Sequence, residues 1–173
     1  MTQLVGVAVP TLLELRSAVL ASAEAEAAVN SLREAGFAGG ESVHAAFHQW
    51  LAESSDDEGR EPRESEPAEL PLDEFGDRAA TFFHDAGWGD VSLSHDEDEG
   101  IAILDIVNCW EGAGSAAGHG CHVTTGLLAA FFGRIAGYPV AVLESECCEG
   151  GSSRCRFLMG NAEVMNQKWE SMR

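Results

Sequence analysis

The sequence predicts an α+β domain in which a small antiparallel sheet of about four strands packs against helices. Apolar residues recur at helical spacing through the first half of the chain. From residue 91 onward, short alternating or continuous apolar runs are bounded by glycines and acidic turns, as in strands. A length of 173 residues with 45% hydrophobic content is enough for one domain with its own core. We therefore expect residues 1–173 to form a single domain.

The first helix is predicted from a capping box. Thr11 and Glu14 stand three residues apart ahead of an apolar run, so each can satisfy a backbone N–H group at the start of a helix. The helix should continue to about Ala35, and Gly36 is the expected stop. Its predicted apolar positions are Leu12, Leu15, Val19, Val29 and Leu32.

A second helix is predicted over Ser42 to about Glu53, where Val43, Phe47, Trp50 and Leu51 recur at helical spacing. His44 and His48 stand four apart on one side of it, a spacing that can bind a metal ion. No third ligand is suggested nearby, so exposed or core histidines are the favoured interpretation.

Residues 54–70 have no large apolar residue before Leu70 and are dense in charge, serine and proline. This composition is typical of a flexible acidic loop. A third helix should follow from Leu72 to about Ala86, with Gly87 as its stop. Its predicted packing face comprises Leu72, Phe75, Ala79, Phe82 and Phe83.

Four strands and one more helix complete the predicted fold. Val91 and Leu93 alternate with serines, and an acidic turn over 96–100 leads into the apolar run 101–107. These two strands should form a hairpin, joined in the sheet by residues 140–147 and 155–160. The last helix, 161–172, offers the packing stripe Val164, Met165, Lys168 and Trp169.

Charge and composition exclude several classes of partner. The formal net charge is −19 and Lys168 is the single lysine, whereas nucleic acids and anionic membranes require clustered positive charge. We see no signal peptide in residues 1–10 and no apolar run of the ~20 residues that a membrane span needs. Five cysteines fit metal ligation in a reducing cytoplasm better than a disulfide framework.

Four residues of the cysteine-rich C-terminal third have the composition of a metal site: Cys121, Glu144, Cys147 and Cys155. Three thiolates and a carboxylate suit a closed four-coordinate zinc site, although thiolate-rich sites also admit copper(I) or iron. Glu146 is a competing carboxylate. A Glu-x-x-Cys sequence on a strand would point its two side chains to opposite faces unless the strand ends or bulges. The residues alone leave open that the cysteines are reduced, buried thiols.

The same stretch resembles the 4-vinyl reductase (4VR) domain family. The resemblance lies in Cys121, in Gly126-Leu127-Leu128, in the run Val140–Glu144 with Cys147 and Gly151, and in Cys155-Arg156-Phe157. That family includes proteins linked to bacteriochlorophyll synthesis and the sensor domains of aromatic-responsive regulators, with a fold related to TRAPP transport subunits. The resemblance implies structural zinc on Cys121, Glu144, Cys147 and Cys155, and a homodimer.

Aromatic residues supply a candidate ligand site. A tryptophan ring offers a flat apolar wall and an N–H donor, so Trp110, in the pair Trp110-Glu111, suits an aromatic or tetrapyrrole guest, although a core role is as common. The aromatic-responsive relatives also have a Trp-Glu pair before the first zinc cysteine. We include Phe82, Phe83 and Phe131 in the candidate site. The glycines at 112, 114 and 118 follow a strand and precede a helix, but the chain lacks the repeating βαβ pattern of a dinucleotide site.

Three functional classes compete. The first is a sensor or carrier domain that binds a small hydrophobic or aromatic ligand and is stabilised by zinc. The second, implied by the family name, is an enzyme or accessory protein of bacteriochlorophyll 4-vinyl reduction. A reductase needs an electron donor, and no convincing nucleotide or flavin site is present, which disfavours catalysis by this chain alone. The third is a dimeric assembly module.

Overall fold

The computed structural model describes residues 6–57, 67, 70–112, 120–148 and 152–172. Five helices and four strands follow one another in these parts of the chain, and the predicted α+β class is confirmed. They are α1 (Val9–Ser22), α2 (Ala25–Asp57), α3 (Leu72–Asp85), β1 (Asp90–Asp96), β2 (Ile101–Val107), α4 (His122–Ala136), β3 (Ala141–Glu146), β4 (Cys155–Gly160) and α5 (Ala162–Ser171).

The four strands form one antiparallel sheet in the order β1-β2-β4-β3. The β1–β2 hairpin is the predicted one, with Leu93 opposite Leu104. Leu104 in turn lies opposite Phe157 on β4, and Glu144 on β3 lies opposite the same phenylalanine. The register therefore places the C-terminal end of β3 next to the start of β4.

The two faces of the sheet are covered by different helices. Leu104, Ile106 and Phe157 belong to the main core, which they share with residues of α2, α3 and α4. Ile101 and Leu158 point to the opposite face and form a smaller cluster with Met165 of α5. The alternation of side chains along β2 explains this division, because successive residues of a strand point to opposite faces.

The N-terminal helices differ from the prediction. α1 begins at Val9, with Pro10 in its first turn and no side-chain cap, so the predicted capping box is wrong. α1 ends at Ser22, and α2 then runs without interruption from Ala25 to Asp57. The predicted stop at Gly36 and the separate helix from Ser42 are therefore also wrong.

Gly36 stays inside a helix because α2 crosses α4 at very short range there. A Cβ atom at Gly36 would lie 2.0 Å from the carbonyl oxygen of Val123, and one at Gly40 would lie 2.6 Å from that of Leu127. Gly126 is the counterpart on α4, since its Cβ would lie 2.0 Å from the Arg33 oxygen. Tertiary packing thus outweighs the roughly 1 kcal/mol by which glycine disfavours a helix interior.

Two predicted packing faces are confirmed in part. Phe75, Ala79, Phe82 and Phe83 of α3 are buried, whereas Leu72 is 58% exposed. Met165 of α5 is buried and Trp169 is 49% exposed.

Gly87 adopts φ 79° directly after α3, as expected of a glycine stop. In α1, Leu15 is 60% exposed and the buried residue is Arg16.

Most of the predicted acidic loop, 54–70, lies outside the described residues, and so do Gly114 and Gly118. No helix in the described ranges combines the length and the apolar character that a membrane crossing requires.

Candidate functional site

The four predicted metal ligands lie together at one edge of the fold. The ligand atoms of Cys121, Glu144, Cys147 and Cys155 are all within 4.8 Å of one another. Cys121 and Cys155 are completely buried, and Glu144 and Cys147 are half-buried. The arrangement can hold a metal ion.

Local chain geometry explains how residues 34 positions apart in sequence converge. Cys121 is the residue immediately before α4. Cys155 is the first residue of β4, and Cys147 follows the last residue of β3. The β3–β4 register shifts between Glu144 and Glu146, and the strand then ends. This irregularity lets Glu144 and Cys147 point to the same place, which a regular strand would prevent.

The distances between the three sulfur atoms match a tetrahedral thiolate site. Cys121 Sγ lies 3.9 Å from Cys147 Sγ and 3.6 Å from Cys155 Sγ, and the remaining pair is 3.8 Å apart. With Zn–S bonds of ~2.3 Å, the edge of a regular tetrahedron is about 3.8 Å. The three thiols therefore already form one face of the polyhedron that zinc prefers.

The Glu144 carboxylate completes the site. Its Oε2 atom accepts a hydrogen bond of 2.7 Å from the Cys121 backbone N–H. Its Oε1 atom is buried and has no hydrogen-bond partner within the described ranges. A buried carboxylate oxygen without a partner is costly, and a cation would satisfy it. Glu146 faces elsewhere and pairs with Arg154 and Arg156.

The two remaining cysteines also reach the cluster. Cys148 directly follows Cys147, so the sequence predicts an extra thiol beside the site there, whereas no sequence signal places Cys109 in it. Cys109 Sγ lies 3.9 Å from Cys121 Sγ, and Cys148 Sγ lies 3.3 Å from Cys155 Sγ. Hydrogen bonds with Cys121 and Cys155 lower the pKa of Cys109. Hydrogen bonding with Cys109, together with burial, raises the pKa of Cys121 and of Cys155.

A buried ion pair lies next to Cys121, the first of the four candidate metal ligands in the sequence. Glu111 is completely buried, and its Oε1 atom lies 3.3 Å from Arg16 Nε of α1. Its carboxylate also accepts hydrogen bonds from the Val123 and Thr124 backbone N–H groups in the first turn of α4, at 3.0 and 2.8 Å. Burial raises the pKa of Glu111. Arg16 also donates to the Gly120 carbonyl at 2.7 Å, next to Cys121.

The predicted ligand residues Phe82, Phe83 and Phe131 are buried in the main core, and Trp110 is buried beside Trp88, which packs against that core. The Phe83 ring centroid lies 5.6 Å from that of Phe82 and 5.2 Å from that of Phe131. Trp88 joins Trp110 to this group, at 5.9 Å from Trp110 and 6.5 Å from Phe83. The Trp110 indole N–H is buried and has no acceptor in the described part of the chain.

A separate surface groove of about 410 Å³ lies at the other end of α4. Phe37, Glu41, Arg134 and Tyr138 contribute to its walls, and it includes none of the predicted ligand residues. His44 and His48 are not among the residues of the metal cluster, and the His44 ring packs edge-on against Phe131 at 6.0 Å, in agreement with the core interpretation of His44.

Comparisons with protein-family models and with curated proteins gave no match. Among solved structures, the chain is similar to the phenol-responsive sensory domain of the transcription activator PoxR in complex with phenol. The TM-score is 0.64 at 14% identity, over 95% of this chain and 81% of that one. A vinyl-4-reductase family protein from Methanocaldococcus jannaschii also matches, with a TM-score of 0.40 and 19% identity, over 76% of this chain and 92% of that one.

The first of these two structures agrees with the fold that the 4VR resemblance implies. Its similarity extends over 95% of this chain. The chain therefore has the fold of the PoxR sensory domain, as its resemblance to the 4VR family and to related sensor domains predicts.

Proposed function

We propose that the chain is a sensor or carrier domain that binds a small aromatic molecule beside Trp110, with structural zinc held by Cys121, Glu144, Cys147 and Cys155. The unpaired Trp110 indole N–H carries the ligand part of this proposal. The residue is 7% exposed, and its Nε1 atom has no acceptor among the residues described. Leaving a buried donor unpaired costs about 1–3 kcal/mol, which a ligand with an acceptor atom would recover.

The surroundings of Trp110 favour an aromatic guest. Its ring meets Trp88, and the chain of rings continues to Phe83 and Phe131. Offset and edge-to-face contacts with such rings add affinity beyond area burial alone. A phenol-type molecule combines one ring with one oxygen acceptor, and phenol is the ligand named for the PoxR sensory domain.

Zinc fits the four-residue site in chemistry and in geometry. Three thiolates at tetrahedral spacing and a carboxylate with a free buried oxygen are a ligand set that zinc accepts. The ion would join the start of α4 to the ends of β3 and β4, next to the loop that carries Trp110. Its role would be structural, since all four positions of a tetrahedral ion would be filled by protein.

The ligand proposal can be tested with phenol and toluene as probes, with binding followed by tryptophan fluorescence and calorimetry. Trp110→Phe keeps the aromatic wall and removes the N–H group. We expect phenol affinity to fall about 5- to 10-fold in this variant, the value of one neutral hydrogen bond. Toluene affinity should change little because toluene has no acceptor. Tyr138→Phe, in the distant groove, is the matched control.

Two results would contradict this assignment. Equal losses for phenol and toluene in Trp110→Phe would mean that the ring, and not its N–H group, makes the contact. Loss of phenol binding in a Tyr138→Ala variant alone would place the ligand in the groove at the other end of α4. A pigment that copurifies with the chain would instead support the reductase-type alternative.

Native mass spectrometry of the purified chain tests the metal part. One zinc ion per chain that dissociates on denaturation would support the site. A folded, metal-free protein that takes up no added zinc would contradict it. The same spectra report the homodimer that we propose, for which the exposed Leu15, Phe37 and Tyr138 are available apolar surface. We also propose a cytoplasmic location, because all five cysteines are free thiols.

A further inference from the structure

All five cysteines of the chain contribute to one sulfur cluster, which is two more than the proposed zinc site uses. Cys109 contacts Cys121 at 3.9 Å and Cys148 contacts Cys155 at 3.3 Å. Cys121 and Cys155 are themselves 3.6 Å apart. These two sulfur atoms therefore form a shared edge, with Cys147 on one side and with Cys109 and Cys148 as further sulfur neighbours.

Cys109 belongs to the buried part of the cluster. Its side chain is completely buried, and its sulfur atom lies 3.9 Å from that of Cys121, which is also completely buried. Thiols at this separation can bind one thiophilic ion between them.

Gly112 is pressed against the same sulfur atoms. A Cβ atom at this position would lie 2.3 Å from Cys148 Sγ, 2.9 Å from Cys155 Sγ and 3.7 Å from Cys121 Sγ. The backbone thus closes directly over the cluster and leaves no room for a side chain. This contact brings the segment that carries Cys109 against the three sulfur atoms.

We propose that the cluster has a second metal position for a thiophilic d¹⁰ cation such as Zn²⁺, Cd²⁺ or Cu⁺. Cys109, Cys121 and Cys155 form it, with Cys148 next to Cys155 as an additional sulfur. The separations of 3.9 and 3.6 Å from Cys121 to Cys109 and Cys155 match the edge of about 3.8 Å expected around one thiolate-bound ion. Soft thiolate ligands select such ions over hard cations.

The charge balance permits a second ion. One divalent ion on three thiolates and one carboxylate leaves a net charge of about −2. Adding the Cys109 and Cys148 thiolates together with a second divalent ion leaves that charge unchanged. The proposal depends on the first metal centre of the proposed function, because Cys121 and Cys155 belong to both positions.

Cadmium titration of the reduced, metal-free full chain tests the second position. Thiolate-to-metal charge-transfer absorption and native mass spectrometry count the bound ions, and excess Mg²⁺ occupies surface carboxylates. We expect two Cd²⁺ per wild-type chain. Cys109→Ser should keep only the ion at Cys121, Glu144, Cys147 and Cys155, and Cys147→Ser should keep only the other ion. Circular dichroism of each variant checks folding, and Cys109→Ala serves if the serine variant is unfolded.

The outcomes separate the two metal positions. If the wild type binds one Cd²⁺ and Cys109→Ser binds one Cd²⁺ with the same affinity, the second position is overturned and the first stays intact. No thiolate-bound Cd²⁺ in any variant would overturn both. Two ¹¹³Cd resonances in wild type, each missing in one of the two variants, would support bridging by Cys121 and Cys155.

Discussion

Arg16 of α1 and Glu111, in the turn that follows β2, form a buried ion pair with their charged atoms 3.3 Å apart. Their side chains are 3% and 0% exposed. The pair joins a helix at the start of the chain to the residue that precedes Cys121, since Arg16 also binds the Gly120 carbonyl. Substitution of either residue should therefore affect both the stability of the protein and the candidate metal site.

Arg16→Ala should lower the free energy of unfolding by about 3–5 kcal/mol at pH 7, because it leaves the Glu111 charge buried and unpaired. Burial already raises the pKa of Glu111, and loss of Arg16 would raise it further. The extra penalty exists only while Glu111 is ionised, so it should shrink as pH falls through that raised pKa. Denaturant titrations of wild type and variant at pH 7 and pH 5 measure the difference. A difference in unfolding free energy between wild type and variant that stays constant with pH would contradict this explanation.

Glu144→Gln should weaken binding at the proposed zinc site, because the amide replaces a charged oxygen of the proposed ligand set. Glu146→Gln is the matched control, since Glu146 lies two residues away and faces Arg154 and Arg156. Competition with a chromogenic chelator measures both affinities. Equal losses in the two variants would indicate a general charge effect and not ligation by Glu144.

Cys121→Ser should release the metal and lower the unfolding free energy by several kcal/mol, because binding of a structural zinc ion contributes to folding. Zinc affinity of the wild type should also fall as pH decreases, since bound cysteines must lose their protons. Thermal unfolding and metal analysis of the variant check the first expectation. An unchanged melting temperature with unchanged zinc content would rule out Cys121 as a ligand.

Gly36→Ala should destabilise the protein by up to about 3 kcal/mol, because the new methyl group would meet the Val123 backbone at 2.0 Å. Gly39 lies three residues further along α2, with nothing within 4 Å of a Cβ atom. Gly39→Ala should therefore stabilise by up to about 1 kcal/mol through helix propensity. Chemical unfolding of both variants measures the two changes in unfolding free energy. Stabilisation by Gly36→Ala would contradict the close crossing of α2 and α4.

Arg156 should control the ionisation of Asp105. Its guanidinium binds that carboxylate at 2.7 and 2.8 Å and holds the pKa of Asp105 below its usual range. The pair therefore contributes stability above about pH 4, and this contribution is lost as pH falls through the lowered pKa. Arg156→Gln should raise the pKa of Asp105 towards its ordinary value, measurable by carboxyl ¹³C NMR. An unchanged titration would assign the shift to other groups.

Local sequence patterns determined much of this structure. Alternation and turn residues predicted the β1–β2 hairpin, and the bounds of β4 and of α3 follow closely from apolar runs and glycines. The sequence also points to the four metal-ligand candidates, through cysteine and glutamate positions that resemble a known family. In each case the signal lies in a few neighbouring residues or in a spacing that the sequence displays directly.

Only the tertiary structure decided the rest. Gly36 ends a helix by local rules, yet here it lies inside α2 because α4 packs directly on its Cα atom. Arg16 is buried because it forms an ion pair with Glu111, 95 positions later in the chain. Cys109 reaches the sulfur cluster because the turn after β2 lies against the residue that precedes α4. Such contacts depend on where distant parts of the chain meet, which no local pattern of residues encodes.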